Sequence, residues 1–315
     1  MTTALIIGLS VVIVAADGET PCVLVTRRNG GLTALPFGTF DPAEHRTFEI
    51  ALRGWVREQT GFDLGYVEQL YTFGDRDRET PEATLADTPE NARVVSVGYL
   101  GLTPDPTRPP EALEARWRGW YGHFPWEDHR NGRPGIIDAV IAPRLQTWAA
   151  GSENRQSRAR LAFGLEGQDW IDDRVLERYE LLYEAGLVTE CARDAGLPLP
   201  DVKLGEPMAS DHRRILATAM GRLRGKIRYR PVVFELMPER FTLSALQLTC
   251  EGILGLRLHK QNFRRALDRA GLVEGTGEMM AATGGRPAEL FRFCRDKFRR
   301  SAALGITTPA MRREG

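Results

Sequence analysis

The sequence predicts an α+β fold with more than one domain. The chain has 315 residues, of which 42% are hydrophobic and 27% are charged, and this suits about two globular domains. Short apolar runs rich in Val and Ile, typical of strands, dominate roughly the first 105 residues. Apolar residues recur at helical spacing in the last third of the chain. Strands followed by a separate helical region indicate an α+β architecture.

The N-terminal part is predicted to hold four strands and one prominent helix. The runs ALIIGLSVVIVAA and PCVLVTRR are joined by an Asp-Gly turn and predict a hairpin. A Gly-rich loop leads to LPFG. A helix of about three turns follows, because Phe48, Leu52 and Val56 recur at helical spacing before a Gly61 C-cap. YVEQLYTFGD and RVVSVGYLGL supply the remaining strands.

The composition gives no indication of a membrane protein or a zinc protein. The apolar run from Ala4 to Ala16 is too short to span a bilayer and lacks a basic leader. The four cysteines are far apart, with no C-x-x-C pair and no nearby histidine cluster. We therefore expect a cytoplasmic protein with no membrane partner and no metal site.

The net charge of zero conceals a division along the chain. Residues 211–315 carry 21 Lys and Arg against 10 Asp and Glu, a net of +11, so residues 1–210 carry 21 against 32, a net of −11. The basic part suits a polyanion such as nucleic acid, whereas the acidic part does not. The alternative is that opposite charges hold the two parts together.

The middle of the chain is predicted to be a helical connecting layer. An aromatic segment runs from Trp117 to Trp126, and WIDDRVLERYELLYEAGLV predicts one long helix. The polar stretch 151–160 and the Pro-containing stretch 197–207 bracket this helix. The predicted divisions are an N-terminal domain at 1–150, a helical connector at 151–206, a C-terminal domain at 207–303 and a flexible tail at 304–315.

The C-terminal domain has the pattern of a helix-turn-helix motif followed by a wing. Thr242 is a good N-cap for a helix that ends at Gly255. A second helix buries Phe263 and Leu267 and stops at Gly271. LVEGTGEMMAATGGRPAELFRF then predicts a strand, a Gly-rich tip and a second strand. A winged helix-turn-helix domain is therefore expected.

The other side of the second helix carries side chains suited to DNA. Amide and guanidinium groups can form bidentate bonds to base edges and ion pairs to phosphates. We predict that Gln261 and Arg264 read bases, and that Lys260 and the wing residue Arg286 hold phosphates. The full predicted DNA-binding set is Thr242, Ser244, Lys260, Gln261, Asn262, Arg264, Arg265 and Arg286. An ordinary amphipathic helical pair with a solvated basic face is the alternative.

The helix within ALRGWVREQTGF resembles a degenerate Nudix box. Glu58 and the pair Gly61-Phe62 match the family pattern, which ends in Arg-Glu-hydrophobic-any-Glu-Glu-any-Gly-hydrophobic. Trp55 and Gln59 replace two of its glutamates. Mg²⁺ needs several charged oxygen ligands, so hydrolysis by the family mechanism is not expected and the protein is predicted not to be an enzyme. The resemblance implies a Nudix-like α/β/α sandwich for the N-terminal domain.

With SDHRRIL, LRGKIRYRPVVFELMPERFTL, EGILG, KQNFRRAL and GRPAELFRF, the chain as a whole resembles the NrtR-type Nudix-related transcriptional regulators. Its aromatic insertion and its length resemble more particularly the NadQ-like NAD-biosynthesis regulators of that broader group. The resemblance implies a homodimeric repressor of NAD-biosynthesis genes that binds a double-stranded DNA operator. Its effector would be an adenine nucleotide such as NAD, ADP-ribose or ATP, with no required cofactor.

The resemblance also implies that the nucleotide lies beside the box helix. Arginines and the LPFG loop are expected to bind it, with an aromatic ring stacked on the adenine. The predicted ligand-binding set is Arg27, Arg28, Phe37, Gly38, Trp55, Glu58, Tyr71, Phe73 and Trp120. For each of Tyr71, Phe73 and Trp120, packing in the core or in a dimer interface is the alternative.

Two other functions compete with the regulator. The first is a divergent Nudix-type nucleoside diphosphate hydrolase with an accessory C-terminal domain, which would release AMP from ADP-ribose in the presence of Mg²⁺. The second is a protein-interaction scaffold, which would bind neither nucleotide nor DNA.

Overall fold

A seven-stranded mixed sheet forms the centre of the N-terminal domain in the computed structural model, which describes residues 5–27, 31–75, 78, 93–280 and 287–295. The strands are β1 (Leu5–Asp17), β2 (Thr20–Arg27), β3 (Thr33–Ala34), β4 (Phe37–Thr39), β5 (Tyr66–Phe73), β6 (Arg93–Leu102) and β7 (Ala115–Gly119). The main path runs β3-β2-β1-β6-β5, with β4 beside β1 and β7 beside β2. β1 and β6 are parallel and the other pairs are antiparallel.

The strands confirm the predicted hairpin and the later pair of strands. Asp17 pairs with Thr20, so Gly18 and Glu19 form the turn. Gly18 has a φ of 59°, which an L-residue with a side chain adopts only with strain. Strand β7 is an addition to the prediction, because it lies inside the segment that was interpreted only as aromatic.

The helices surround this sheet and continue into the C-terminal half. They are α1 (Phe48–Thr60), α2 (Ala142–Ala149), α3 (Glu153–Phe163), α4 (Val175–Glu184), α5 (Thr189–Asp194), α6 (His212–Ile227), α7 (Leu243–Leu254) and α8 (Lys260–Ala270). Within the part of the chain that the structure describes, we find no helix that is both long and apolar enough to cross a bilayer.

Helix α1 covers one face of the sheet, as predicted from its apolar spacing. The hydroxyl of Thr47 caps it by accepting a hydrogen bond from the Ile50 N–H at 3.2 Å, and Gly61 ends it in the left-handed conformation. Leu52 and Val56 are fully buried against the apolar side chains of β1, β2 and β6. This core is separate from the main core on the opposite face.

Helix α6 lies across the other face and completes the predicted α/β/α sandwich. Ile215, Leu216 and Met220 are fully buried in the main core together with residues from the sheet, the connector and the C-terminal domain. Eleven of its sixteen residues are buried, including Arg213 and Arg224.

The connector differs from the prediction at both of its helical segments. The helix predicted over 170–188 is shortened to α4, which ends at Glu184 because Gly186 adopts a left-handed conformation and the Leu187 N–H bonds back to the Leu182 carbonyl. Helix α5 is an additional helix that follows the predicted segment. The polar stretch predicted as a bracket is helix α3, which Ser152 caps at the Arg155 N–H. Charged exposed residues concealed its shallow apolar side.

The C-terminal domain has the predicted helix-turn-helix and wing. Helices α7 and α8 are followed by β8 (Val273–Met280) and β9 (Ala288–Phe293), which pair antiparallel. Phe241 extends this two-stranded sheet through an isolated antiparallel bridge to Phe291, with two backbone hydrogen bonds of 3.0 and 2.7 Å. The predicted Gly-rich tip lies outside the described residues.

Candidate DNA-binding and nucleotide-binding sites

Helix α8 presents a polar and basic face to solvent. Phe263 is 5% exposed and anchors the helix to its domain, with Leu267 packed against the same core. The side chains predicted to contact DNA from this helix are all exposed: Lys260, Gln261, Asn262, Arg264 and Arg265. Among the described residues, none of these five has an ion-pair or hydrogen-bond partner through its side chain. Their donors are therefore available to phosphates and base edges.

The remaining predicted DNA-binding residues have different surroundings. Thr242 is 7% exposed, and its hydroxyl accepts the Ala245 N–H at 3.1 Å, so it fixes the start of α7. Ser244 is exposed in the first turn of the same helix. Arg286 lies outside the described residues. Helix α8 therefore carries five of the predicted DNA-binding side chains, all exposed.

The box positions that depart from the Nudix pattern hold α1 to the preceding loop. The Gln59 carboxamide accepts a hydrogen bond from the Phe37 N–H at 3.2 Å and donates one to the Phe37 carbonyl at 2.6 Å. The Trp55 indole N–H donates to the Thr39 carbonyl at 3.0 Å. Its ring covers Gly38, where any Cβ would overlap the indole. Trp55 and Gln59, which the resemblance matched to glutamates of the family pattern, therefore make structural contacts here.

Glu58, which matches the family pattern, is exposed on the same helix. In the portion of the chain that is described, no group of three or more His, Cys, Asp or Glu side chains is arranged to hold a metal ion.

A cleft opens where β2 ends, beside β7 and the loop before it. It has a volume of about 560 Å³, and its lining includes Arg27, Arg108, Arg116 and Trp117. Two glutamates and two prolines also line it, so arginines outnumber acidic side chains by three to two. Guanidinium groups suit the paired oxygens of phosphates, and an indole offers a stacking face to a purine.

A smaller cleft of about 200 Å³ adjoins the first and shares Arg27 with it. Thr26 and Gln59 line this part. The Thr26 hydroxyl is buried and has no hydrogen-bond partner among the described residues, so it is available to a ligand. The two clefts together connect the end of β2 to the C-terminal half of α1.

The structure brings some of the predicted ligand-binding residues together and separates others. Arg27 lies in both clefts, and Phe37 is joined to the smaller one through Gln59. Phe73 and Trp120 are 1% and 0% exposed in the main core, so the alternative of core packing accounts for them. Tyr71 is 61% exposed at β5 and packs edge-on to Phe73. Arg28 lies outside the described residues.

Arg108, Arg116 and Trp117 line the larger cleft but are absent from the predicted ligand-binding set. Arg116 and Trp117 belong to β7, which pairs with β2, and Arg108 belongs to the loop before it. The alternation of Arg and Trp in ARWRG was the available signal, because it is typical of a strand with one polar face.

Most basic side chains of α6 are used in buried ion pairs rather than in a DNA-binding surface. Arg224 of α6 and Arg178 of α4 both contact Glu127 at 2.6 Å, and all three side chains are fully buried. Arg213 pairs with Glu190 at 3.2 Å, also buried. Attraction between opposite charges therefore does hold the two parts of the chain together, whereas the predicted DNA-binding side chains of α8 form no ion pair among the described residues.

The C-terminal domain is docked closely on the rest of the chain at the end of α7. A Cβ at Gly252 would overlap the Glu19 carbonyl, and a Cβ at Gly255 would contact the Glu127 carbonyl at 2.5 Å. The Tyr121 hydroxyl donates to the Gly252 carbonyl at 2.6 Å. Absence of side chains at these two glycines is what allows this close approach.

Comparison with known proteins identifies the C-terminal domain. Residues 233–293 match the family model described as the NrtR DNA-binding winged helix domain. This match agrees with the predicted winged helix-turn-helix domain. With the sheet and helices described above, the chain has an architecture similar to that of the NrtR-type Nudix-related regulators.

Three particular relatives share parts of this architecture. An Acinetobacter baylyi protein, named ADPR responsive transcriptional repressor NtrR, is 45% identical over 86 residues, or 27% of this chain and 34% of the relative. The match thus spans about a third of that relative's length. Shewanella oneidensis NrtR, solved with a 27mer DNA, has a TM-score of 0.55 at 20% identity, covering 92% of this chain and 94% of its own. A MutT/nudix family protein from Enterococcus faecalis has a TM-score of 0.52 at 16% identity, covering 93% and 87%. The two structural likenesses show a shared fold.

Proposed function

We propose that the protein is a DNA-binding transcriptional repressor that responds to an adenine nucleotide bound by its Nudix-like domain. The observation that carries this proposal is the face of α8, where five polar or basic side chains are exposed around a buried Phe263 in a winged helix domain of the NrtR type. A recognition helix needs this combination of a fixed apolar side and free donors. The likeness of the chain to NadQ-like regulators suggests NAD-biosynthesis genes as its targets.

We propose the cleft around Arg27 as the nucleotide site. Arg27, Arg108 and Arg116 supply charges for a pyrophosphate, and Trp117 supplies a stacking face. Arg28 remains a predicted ligand in the same region. ADP-ribose is our first candidate, because the Acinetobacter relative is named as responsive to it. NAD and ATP share its adenine and pyrophosphate groups and are the other candidates.

We further propose that the protein acts as a homodimer in the cytoplasm and requires no cofactor. A two-fold dimer of winged helix domains would bind a palindromic operator with half-sites separated by about one or two helical turns.

The divergent hydrolase is the competing function. The contacts of Trp55 and Gln59 favour the regulator, because both side chains are engaged with the backbone of β4 rather than presented as metal ligands. We expect no release of AMP from ADP-ribose with Mg²⁺ or Mn²⁺. Multiple turnovers that disappear in Glu58→Gln would instead support the hydrolase.

The deciding experiment is a gel shift on the upstream region of the protein's own gene and on promoters of NAD-biosynthesis genes. The assay is repeated with ADP-ribose, NAD and ATP at matched ionic strength, because salt strongly affects binding to DNA. We expect a specific shift that one of the three nucleotides alters. Binding that is equal for these fragments and for random DNA would contradict the proposed function.

A further inference from the structure

We propose that Gln59 senses a nucleotide in the cleft and transmits its presence to the DNA-binding domain through Phe37, His212 and helix α6. This inference rests on the proposed function, since it names the side chains that connect its two sites.

The first step is contact between Gln59 and the ligand. Gln59 lines the smaller cleft beside Thr26 and Arg27. A carboxamide has two N–H donors. Among the described residues, the amide nitrogen of Gln59 bonds only to the Phe37 carbonyl. The second donor is therefore available to an anionic oxygen held by Arg27, and such a charge-assisted bond would pull on the side chain that holds Phe37.

The second step is the contact between Phe37 and the start of α6. Phe37 is 3% exposed, and its ring packs edge-on to His212 with centroids 5.0 Å apart. The Leu35 N–H donates to Nδ1 of His212 at 3.1 Å, and the Ala209 N–H donates to the Thr33 carbonyl at 2.8 Å. A displacement of Phe37 therefore meets closely packed groups and must shift or repack the N-terminus of α6.

The third step is the contact between α6 and the DNA-binding domain. Arg224 lies twelve residues beyond His212, about 18 Å along the helix at 1.5 Å per residue. Its Nε donates to the Ile253 carbonyl of α7 at 2.9 Å, and its Nη1 bonds to Glu127. Helix α6 thus contacts Phe37, which Gln59 joins to the candidate nucleotide site, at one end and the helix-turn-helix motif near the other.

The test measures the factor by which nucleotide changes the Kd for DNA, using the full chain and the promoter fragment and nucleotide that give an effect in the gel shift. His212→Phe keeps an aromatic ring beside Phe37 but removes the acceptor for the Leu35 N–H. His212 does not line the cleft. We therefore expect nucleotide affinity within about threefold of wild type, while the coupling factor, typically about 5 to 150, falls towards one.

Gln59→Met is the second variant, because it keeps a side chain of similar length without donors or an acceptor. It should lower both nucleotide affinity and coupling. Thr218→Ala is the matched control on α6, since among the described residues its hydroxyl bonds only to the Arg214 carbonyl within the helix, and it should retain wild-type coupling.

The outcomes separate this proposal from the proposed function. Wild-type coupling in both His212→Phe and Gln59→Met would overturn the transmission route and leave the regulator intact. If no nucleotide changes DNA affinity in the wild-type protein, the nucleotide-responsive function fails and this inference fails with it. Thermal denaturation of each variant distinguishes lost coupling from a lost fold.

Discussion

Gly38 fixes the packing around the box helix at a single position. Its backbone lies against the Trp55 indole, and the neighbouring Phe37 is held by Gln59. A tryptophan at a position where the family pattern has a glutamate thus needs a residue without a side chain opposite it. The substitution at position 55 and the glycine at position 38 form one structural unit.

Gly38→Ala should destabilise the protein by about 1 to 3 kcal/mol, because the added methyl group overlaps Trp55 in a packed region. Gly54→Ala is the control, since a Cβ there meets nothing within 4 Å on helix α1 and should stabilise by up to about 1 kcal/mol. Urea unfolding measures both changes. Equal stabilities for the two variants would show that the contact with Trp55 carries no energetic cost.

We expect His129 to make the free energy of unfolding depend on pH. Burial lowers its pKa from 6.5 to about 4, and its ring packs on Trp170 with centroids 4.0 Å apart. A depressed histidine pKa means that the unfolded chain binds the proton more tightly. The contribution of the neutral ring is therefore complete above about pH 6.5 and is lost as the pH falls towards 4.

His129→Phe keeps an aromatic ring on Trp170 but cannot titrate. We expect the free energy of unfolding of this variant to decline less between pH 7 and about pH 4.5 than that of the wild type. Denaturant titrations at both pH values measure the difference. Parallel declines in the two proteins would exclude His129 as a source of the pH dependence.

At the scale of elements, the sequence predicted those whose boundaries depend on local signals. Helices α1, α7 and α8 each have a marked apolar face and end at Gly61, Gly255 and Gly271, all of which adopt the left-handed conformation. The helix of the connector was predicted to begin too early because its start depends on a distant group. Arg178 is held by Glu127, far away in the sequence, and binds the carbonyls of Ile171 and Asp172, which are thereby kept outside helix α4.

The two candidate sites also differ in whether local sequence signals reveal them. The exposed residues of α8 follow from helical spacing around Phe263, which the sequence reveals directly. The cleft is formed by the end of β2 together with Arg108 of a loop and Arg116 of β7. The alternation in ARWRG predicts a strand, but no local sequence pattern predicts that this strand pairs with β2. Separation along the chain, rather than weak chemistry, kept those residues from being predicted.

Substitutions on α8, the proposed recognition helix, should affect DNA binding in two distinct ways. Gln261→Ala and Arg264→Ala should each cost about 1 to 3 kcal/mol of binding to the operator and little on random DNA, because they are expected to read bases. Lys260→Ala should weaken both DNAs about equally and reduce the slope of log Kd against log salt by about one. Fluorescence anisotropy across a salt series separates the two classes. Wild-type operator binding by both Gln261→Ala and Arg264→Ala would remove α8 from the DNA interface.

At the scale of the whole molecule, one buried carboxylate joins three parts of the chain. Glu127 follows the aromatic segment, Arg178 belongs to the connector and Arg224 to α6. Burial by itself would raise the pKa of Glu127, but the two guanidinium charges outweigh it and hold that pKa below its usual value. The predicted domain boundaries therefore divide a chain whose parts share a common ionic centre.

Glu127→Gln should destabilise the whole protein by about 3 to 5 kcal/mol, since it leaves two buried arginines without their shared charge. Asp138→Asn is the control: Asp138 pairs with Arg133 at 3.0 Å but is 62% exposed, so we expect less than about 1 kcal/mol. Unfolding is followed by far-UV circular dichroism and by tryptophan fluorescence. Similar losses in the two variants would show that the buried cluster does not hold the parts together.

The close fit of α7 at Gly252 and Gly255 limits how this protein can diversify. The winged helix domain is not a portable module, because a hybrid that joins it to a different sensor would leave the docking side of α7 without the Glu19 turn and the Glu127 backbone that it fits. The face of α8 is under no such restriction, since its five exposed polar side chains form no ion pair or side-chain hydrogen bond among the described residues. New operator preferences can therefore evolve by substitution on α8, while exchange of the whole domain between lineages is obstructed.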